Sequence, residues 1–221
     1  MDRIVRSFAV ASMISCALLF AGCRGGGSPS NPVTGPTPAP TLLSTSGQAS
    51  DPAGDAVPDS RLVPVPDLIS VTMQVSGDEV RIAVRFAPGT FDQSTTWLQV
   101  MIDTDESNAT GLRGVDTDGV DGSLIGIDYL LDRASQGLVN PRQALLRCPT
   151  SNFNDCTRAG TFTTVVQPDG VDYTLTRTSI GNDDGHMRVK VVSFAGIVGV
   201  GALDEALDIM PDAGLAPMRL Q

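Results

Sequence analysis

Residues 67–86, DLISVTMQVSGDEVRIAVRF, alternate apolar and polar side chains with a period of two on either side of a Ser-Gly-Asp break. Successive side chains of a β-strand point to opposite faces of a sheet, so this alternation predicts two strands that each bury one face. The break supplies a turn, and the two strands are therefore predicted to form a β-hairpin. The hairpin places the chain among β proteins.

Shorter strand-like segments follow the hairpin. In the first of them, Leu98, Val100 and Ile102 share one face. The candidate strands are residues 96–102, 125–131, 143–148, 161–167, 171–178 and 186–194. Residues 202–210 are instead predicted to form one or two turns of helix. Seven to nine short strands separated by Gly, Pro and Asp predict an all-β fold, an antiparallel β-sandwich of jelly-roll type.

The N-terminus has the pattern of a secretory signal. Two arginines precede a largely apolar run over residues 7–20, which is too short to span a bilayer as a permanent helix. The small pair Ala21-Gly22 before Cys23 resembles a bacterial lipobox. That resemblance implies lipidation of Cys23 and anchoring in the cell envelope, at the outer membrane or the cell surface. Ordinary signal cleavage would give a secreted, soluble product instead.

These features divide the chain into three parts. Residues 1–22 are the predicted lipoprotein signal peptide. Residues 23–48 are rich in Gly, Pro and Ser without periodicity, which predicts a disordered tether. Residues 49–221 are long enough to form one domain with a substantial core, and this is the predicted β-sandwich.

The formal net charge of −10 excludes one class of partner. A surface of this sign repels phosphate backbones and anionic lipid, so nucleic acid is not an expected partner and membrane contact is expected only through the lipid anchor.

The cysteine usage agrees with an envelope compartment. Of four cysteines, Cys16 would leave with the signal and Cys23 would carry the lipid, which leaves Cys148 and Cys156. In an oxidising compartment these two are expected to form a disulfide. A reduced pair is the alternative in a bacterium without oxidative machinery.

Residues 103–111, DTDESNATG, concentrate negative charge directly after the third predicted strand. Asp103 and Asp105 alternate along this loop, so their carboxylates can converge on one point. Asn108, Thr110 or backbone carbonyls could then complete the shell of roughly six to eight oxygen ligands that Ca²⁺ takes. The loop therefore predicts a calcium site; solvated turn aspartates are the alternative.

Three stretches carry a family resemblance: residues 86–111 with the following GIDYLL, DPAGD at residues 51–55, and DIMPDAG at residues 208–214. Together they resemble secreted bacterial β-sandwiches related to DOMON domains and to family-9 carbohydrate-binding modules, over about residues 49–221. The resemblance implies a calcium-stabilised sandwich with Asp103 and Asp105 as ligands, Asp128 as a third ligand and Asp55 as a further candidate. It also implies a binding or structural role at the cell surface.

A carbohydrate-binding module is one alternative within this family, with a carbohydrate or a protein as partner. Sugar binding favours exposed aromatic rings, and Trp97 with Gln99 on the same strand face is the candidate platform. Packing of Trp97 in a second layer of the core is the competing interpretation.

A haem-binding domain for electron transfer is the other alternative. It would use His186, the sole histidine, together with Met73 or Met101 as axial ligands. An exposed loop histidine is the simpler interpretation, because a turn precedes His186.

Catalysis is not expected. No serine lies in a nucleophile-elbow motif, and Asp-rich polar loops are the opposite of the apolar pocket that raises the pKa of a catalytic carboxyl group.

Overall fold

The computed structural model describes residues 44–57, 64–113, 125–133, 143–197, 201–212 and 215–221. They belong to one compact unit, Thr41–Gln221. The predicted signal peptide, Cys23 and most of the predicted tether lie outside the described residues. Within the described ranges, no helix is long and apolar enough to cross a membrane.

The described chain consists of strands with two short 3-10 helices, Phe153–Asp155 and Arg177–Ile180. The strands are β1 Ser44–Ser50, β2 Leu68–Ser76, β3 Glu79–Phe86, β4 Thr96–Asp103, β5 Tyr129–Arg133, β6 Gln143–Arg147, β7 Thr157–Gly160, β8 Thr163–Gln167, β9 Gly170–Thr176, β10 Arg188–Ile197, β11 Gly201–Met210 and β12 Met218–Arg219.

The strands form two antiparallel sheets. One has the order β1-β2-β3-β9-β8, and the other has the order β11-β10-β4-β5-β6-β7 with β12 paired to β10. The main hydrophobic core contains side chains from both sheets, which face one another. The prediction of an all-β antiparallel sandwich is confirmed. The described residues form twelve strands, more than the seven to nine that were predicted.

The predicted β-hairpin is present as β2 and β3. Ser76 pairs with Glu79, and Gly77 in the turn between them has a φ of 61°, a conformation that glycine adopts without steric cost. Alternate side chains of both strands, among them Val71 and Ile82, are buried in the main core.

Strand β4 is buried on both faces. Leu98, Val100 and Ile102 point into the main core, as predicted. Met101 belongs instead to a second hydrophobic cluster, which also contains Val192 and residues of the β4–β5 connection. The larger sheet therefore has a covered outer face, and the loop that carries the candidate ligands is part of that cover.

The predicted helix at residues 202–210 is wrong. This segment is strand β11, which pairs with β10 from Ile197↔Gly201 to Val191↔Met210. Its apolar spacing is compatible with a short helix, but the backbone hydrogen bonds to β10 determine its conformation.

Strand β1 begins at Ser44, before the predicted start of the domain at residue 49. Its sequence, STSGQAS, has almost no apolar residues, and its strand conformation comes from seven antiparallel register pairs with β2. A segment of this composition has no strand signal without its partner.

Candidate functional site

Asp103 is the last residue of β4 and pairs in register with Arg188, the first residue of β10. Its side chain is fully buried. Asp103 Oδ2 accepts hydrogen bonds from the Arg188 guanidinium and, at 3.3 Å, from the backbone N–H of Gly126. Part of the positive charge that the acidic loop requires is thus supplied by the protein itself.

The other carboxylate oxygen of Asp103, Oδ1, lacks hydrogen-bond donors of this kind in the described structure. Oδ1 is buried and has no hydrogen-bond partner among the described residues. Burial raises the pKa of Asp103, while the hydrogen bond and the charge of Arg188 act in the opposite direction. Because a buried carboxylate oxygen without a donor is costly, this atom points to a missing partner such as a cation or water.

Asp105 and Asp128 converge on the same place. One carboxylate oxygen from each of Asp103, Asp105 and Asp128 lies within 4.8 Å of the others. We call these three residues the β4 cluster. Asp103 and Asp105 are candidate ligands from the loop sequence, and Asp128 is the third ligand that the family resemblance implies. Asp103 is buried, Asp128 is half-buried and Asp105 is exposed, so the cluster opens to solvent on one side.

Local hydrogen bonds hold the two outer carboxylates in position. Asp105 accepts from the Thr110 hydroxyl at 2.8 and 2.9 Å and from the Ser107 N–H at 2.9 Å. Asp128 Oδ2 accepts from both the N–H and the hydroxyl of Thr104, each at 2.9 Å. The orientation of the carboxylates therefore does not depend on a bound ion.

The backbone of this loop is tightly packed. Glu106 has a φ of 54°, which places it in the left-handed region, and its carboxylate lies 3.5 Å from the Arg219 guanidinium. A Cβ at Gly126 would collide with the carbonyl oxygens of Ser107 and Thr110, so only glycine fits there. Asn108 is exposed in the same turn, and its role as a ligand stays a prediction.

Asp55 does not join the β4 cluster. It lies in a second acidic group, in which carboxylate oxygens of Asp55, Asp67 and Asp208 are within 4.8 Å of one another. Asp55 also forms a group of the same size with Asp51 and Asp212. We call these five aspartates the edge cluster, because they come from the end of β1, the start of β2 and the end of β11.

Sequence reasoning missed the edge cluster as a unit. It singled out DPAGD and DIMPDAG but did not place them together, because about 150 residues separate them and no local pattern reports that proximity. It also overlooked Asp67, which reads as the first residue of a strand.

Burial raises the pKa values of two aspartates in the edge cluster. Burial, helped by a hydrogen bond to Asp212 and by its charge, raises the pKa of Asp51 to about 8. Burial raises the pKa of Asp208 to about 6, although the N–H groups of Leu68 and Ile209 oppose the shift by donating hydrogen bonds.

The predicted disulfide is present. Cys148 and Cys156 are bonded, with their Cα atoms 4.2 Å apart, and the 3-10 helix Phe153–Asp155 lies in the loop that they close. Cys148 is fully buried in the second hydrophobic cluster, and Cys156 packs against it.

Trp97 packs against the second hydrophobic cluster. Its ring centroid is 5.4 Å from that of Phe194, and its Nε1 donates to Asp132. Gln99 on the same face is buried. This arrangement corresponds to the second-layer interpretation of Trp97 and lends no support to an exposed sugar platform.

The proposed haem ligands are not grouped either. His186 is exposed, Met73 lies in the main core, and Met101 lies in the second hydrophobic cluster on the opposite face of the larger sheet. The structure therefore does not favour the haem alternative.

No protein-family model matches the chain, and no curated protein matches it.

Proposed function

We propose that this protein is a cell-envelope lipoprotein, anchored through Cys23, whose β-sandwich binds a structural Ca²⁺ at the β4 cluster and serves a binding or structural role. One observation supports the calcium part most strongly. Three carboxylates converge within 4.8 Å, and the most deeply buried of them, Asp103, has an oxygen without a hydrogen-bond partner among the described residues.

The donor set favours a hard divalent cation. Carboxylate oxygens suit Ca²⁺ and Mg²⁺, whereas zinc and copper prefer imidazole and thiolate ligands. The single histidine, His186, is not part of this cluster, and Cys148 and Cys156 are bonded to each other. Ca²⁺ is the better match of the two hard ions because it tolerates irregular geometry, whereas Mg²⁺ demands a near-ideal octahedron. The exposed side of the cluster can supply water to complete the shell.

Arg188 and the ion would act on different oxygens of Asp103. The guanidinium is hydrogen-bonded to Oδ2, which leaves Oδ1 for the cation. Two positive groups on opposite sides of one buried carboxylate would offset the repulsion from Asp105 and Asp128. The bound ion would then connect the end of β4 to the residue that precedes β5.

Thermal unfolding tests the calcium site. We expect the full chain to have a higher Tm in millimolar Ca²⁺ than in EDTA, because a ligand that binds only the folded state stabilises it by mass action. The variant Asp105→Asn, at an exposed ligand, should reduce this shift. Asp184→Asn, an exposed turn aspartate outside both clusters, is the control and should keep it. A Tm that is identical with calcium and with EDTA would refute the structural calcium.

A further inference from the structure

The edge cluster lies where three chain segments meet. Asp51 and Asp55 follow β1, Asp67 precedes β2, and Asp208 and Asp212 lie at the end of β11. Strands β1 and β2 belong to the smaller sheet, and β11 is at the edge of the larger sheet. The cluster therefore connects the two sheets at one edge of the sandwich.

Protein hydrogen bonds hold the inner carboxylates in position. Asp67 Oδ2 accepts from the Gly54 N–H at 2.7 Å. Asp208 Oδ2 accepts from the Leu68 N–H, and Asp208 Oδ1 accepts from its neighbour Ile209 at 2.8 Å. Asp208, from the larger sheet, is thus bonded to the first residue of β2 in the smaller one. The two carboxylates are fixed by backbone groups, as preorganised ligands would be.

Asp67 gives the second indication of a ligand. Its exposure is only 6 %, and its Oδ1 has no hydrogen-bond partner among the described residues. The residue lies within the group that it forms with Asp55 and Asp208, and Asp208 is itself only 8 % exposed. A buried carboxylate without full hydrogen bonding, close to two further carboxylates, is unfavourable unless a positive group is placed between them.

We propose that Asp55, Asp67 and Asp208 bind a second hard divalent cation, Ca²⁺, which joins the two sheets at this edge. Asp51 and Asp212, which form the neighbouring group with Asp55, lie beside the ion. Asp55 is exposed, so the site has an open side through which the ion enters and water completes the shell. This site is separate from the β4 cluster and does not depend on it.

Calcium titration calorimetry on the EDTA-treated and desalted full chain tests the proposal. We expect two Ca²⁺ ions per chain. Asp55→Asn, at an exposed ligand, should leave one, and Asp67→Asn should do the same. Asp105→Asn should remove the other ion, and the combination Asp55→Asn with Asp105→Asn should bind none. Asp184→Asn is the control and should keep both.

The outcomes separate the two sites. A single ion that is lost in Asp105→Asn and kept in Asp55→Asn would overturn the edge site and leave the β4 site standing. A single ion with the reverse pattern would support the edge site and overturn the β4 site. No binding at all would overturn both.

Amide hydrogen exchange shows where the ion binds without a count of bound ions. It also tests the edge site if the Asp67→Asn variant does not fold, because it uses the unmodified chain. In the unmodified chain, Ca²⁺ should slow amide exchange at residues 51–55 and 208–212 together. This protection should disappear in Asp55→Asn and persist in Asp105→Asn. Unchanged exchange at both segments upon calcium addition would contradict the proposal.

Discussion

The carboxylate of Asp103 is fully buried beside the Arg188 guanidinium, and one of its oxygens has no donor in the described part of the chain. A buried ion pair of this kind is costly to break, because removing one partner leaves an uncompensated charge in a poorly solvated place. Removal of either partner is therefore expected to be costly whether or not a metal ion is bound.

Replacing Arg188 by Met tests this contribution. In EDTA, we expect Arg188→Met to lower the free energy of unfolding by about 3–5 kcal/mol, as is typical when one partner of a buried pair is removed. Arg81→Met, which breaks the exposed pair with Glu79, is the matched control and should cost about 1 kcal/mol or less. Urea denaturation measures both values, and equal losses in the two variants would contradict the importance of burial.

The edge cluster predicts a pH dependence of the metal-free protein. Folding raises the pKa of Asp51 from 3.8 to about 8 and that of Asp208 to about 6. Between pH 3.8 and about pH 8, the folded state therefore binds more protons than the unfolded state. The free energy of unfolding should then fall as the pH rises. In EDTA, the urea midpoint should therefore decrease from pH 5 to pH 8. Asp51→Asn should weaken this decrease, and an increase over the same range would contradict the assignment.

At the scale of elements, the hairpin of β2 and β3 was predictable because its signal is local. Its period-two pattern and its glycine turn lie within one continuous stretch. Strands β1 and β11 were not predictable in the same way. The first lacks apolar residues, the second also fits a helical spacing, and both take their conformation from a neighbouring strand.

The same difference between local and long-range signals explains which candidate site could be predicted from the sequence. Most of the β4 cluster could be predicted because Asp103 and Asp105 are close in sequence. The ion pair between Asp103 and Arg188 was not predicted. The edge cluster could not be predicted from the sequence, because its aspartates come from three segments that only the folded sheets bring together.

The disulfide between β6 and β7 gives a prediction at this scale. Closing so short a loop should stabilise the fold by about 2.5 kcal/mol in the chain-entropy model, so Cys148→Ala with Cys156→Ala should lose about that amount. The burial of Cys148 in the second cluster adds a packing contribution to the loss. Denaturation with and without dithiothreitol measures it: reductant should destabilise the unmodified chain and leave the double variant unchanged. A reductant effect of the same size on the unmodified chain and on the double variant would contradict the disulfide.

At the scale of the whole molecule, the proposed lipid anchor would hold the β-sandwich and its loops at the membrane. The anchoring prediction concerns Cys23 alone. Cys23→Ser should move the protein from the membrane fraction to the soluble fraction, because the acyl chains that hold it would be missing. Cys16→Ser, within the predicted signal, is the control and should leave the protein in the membrane fraction. Retention of the Cys23→Ser protein in the membrane fraction would contradict lipid anchoring.

Calcium at the β4 cluster is the central claim, and a crystal structure of the protein grown in excess Ca²⁺ tests it most directly. The account predicts an ion within about 2.3–2.6 Å of Asp103 Oδ1 and of one carboxylate oxygen from each of Asp105 and Asp128. A well-ordered loop in which only water occupies that position, at saturating calcium, would contradict it.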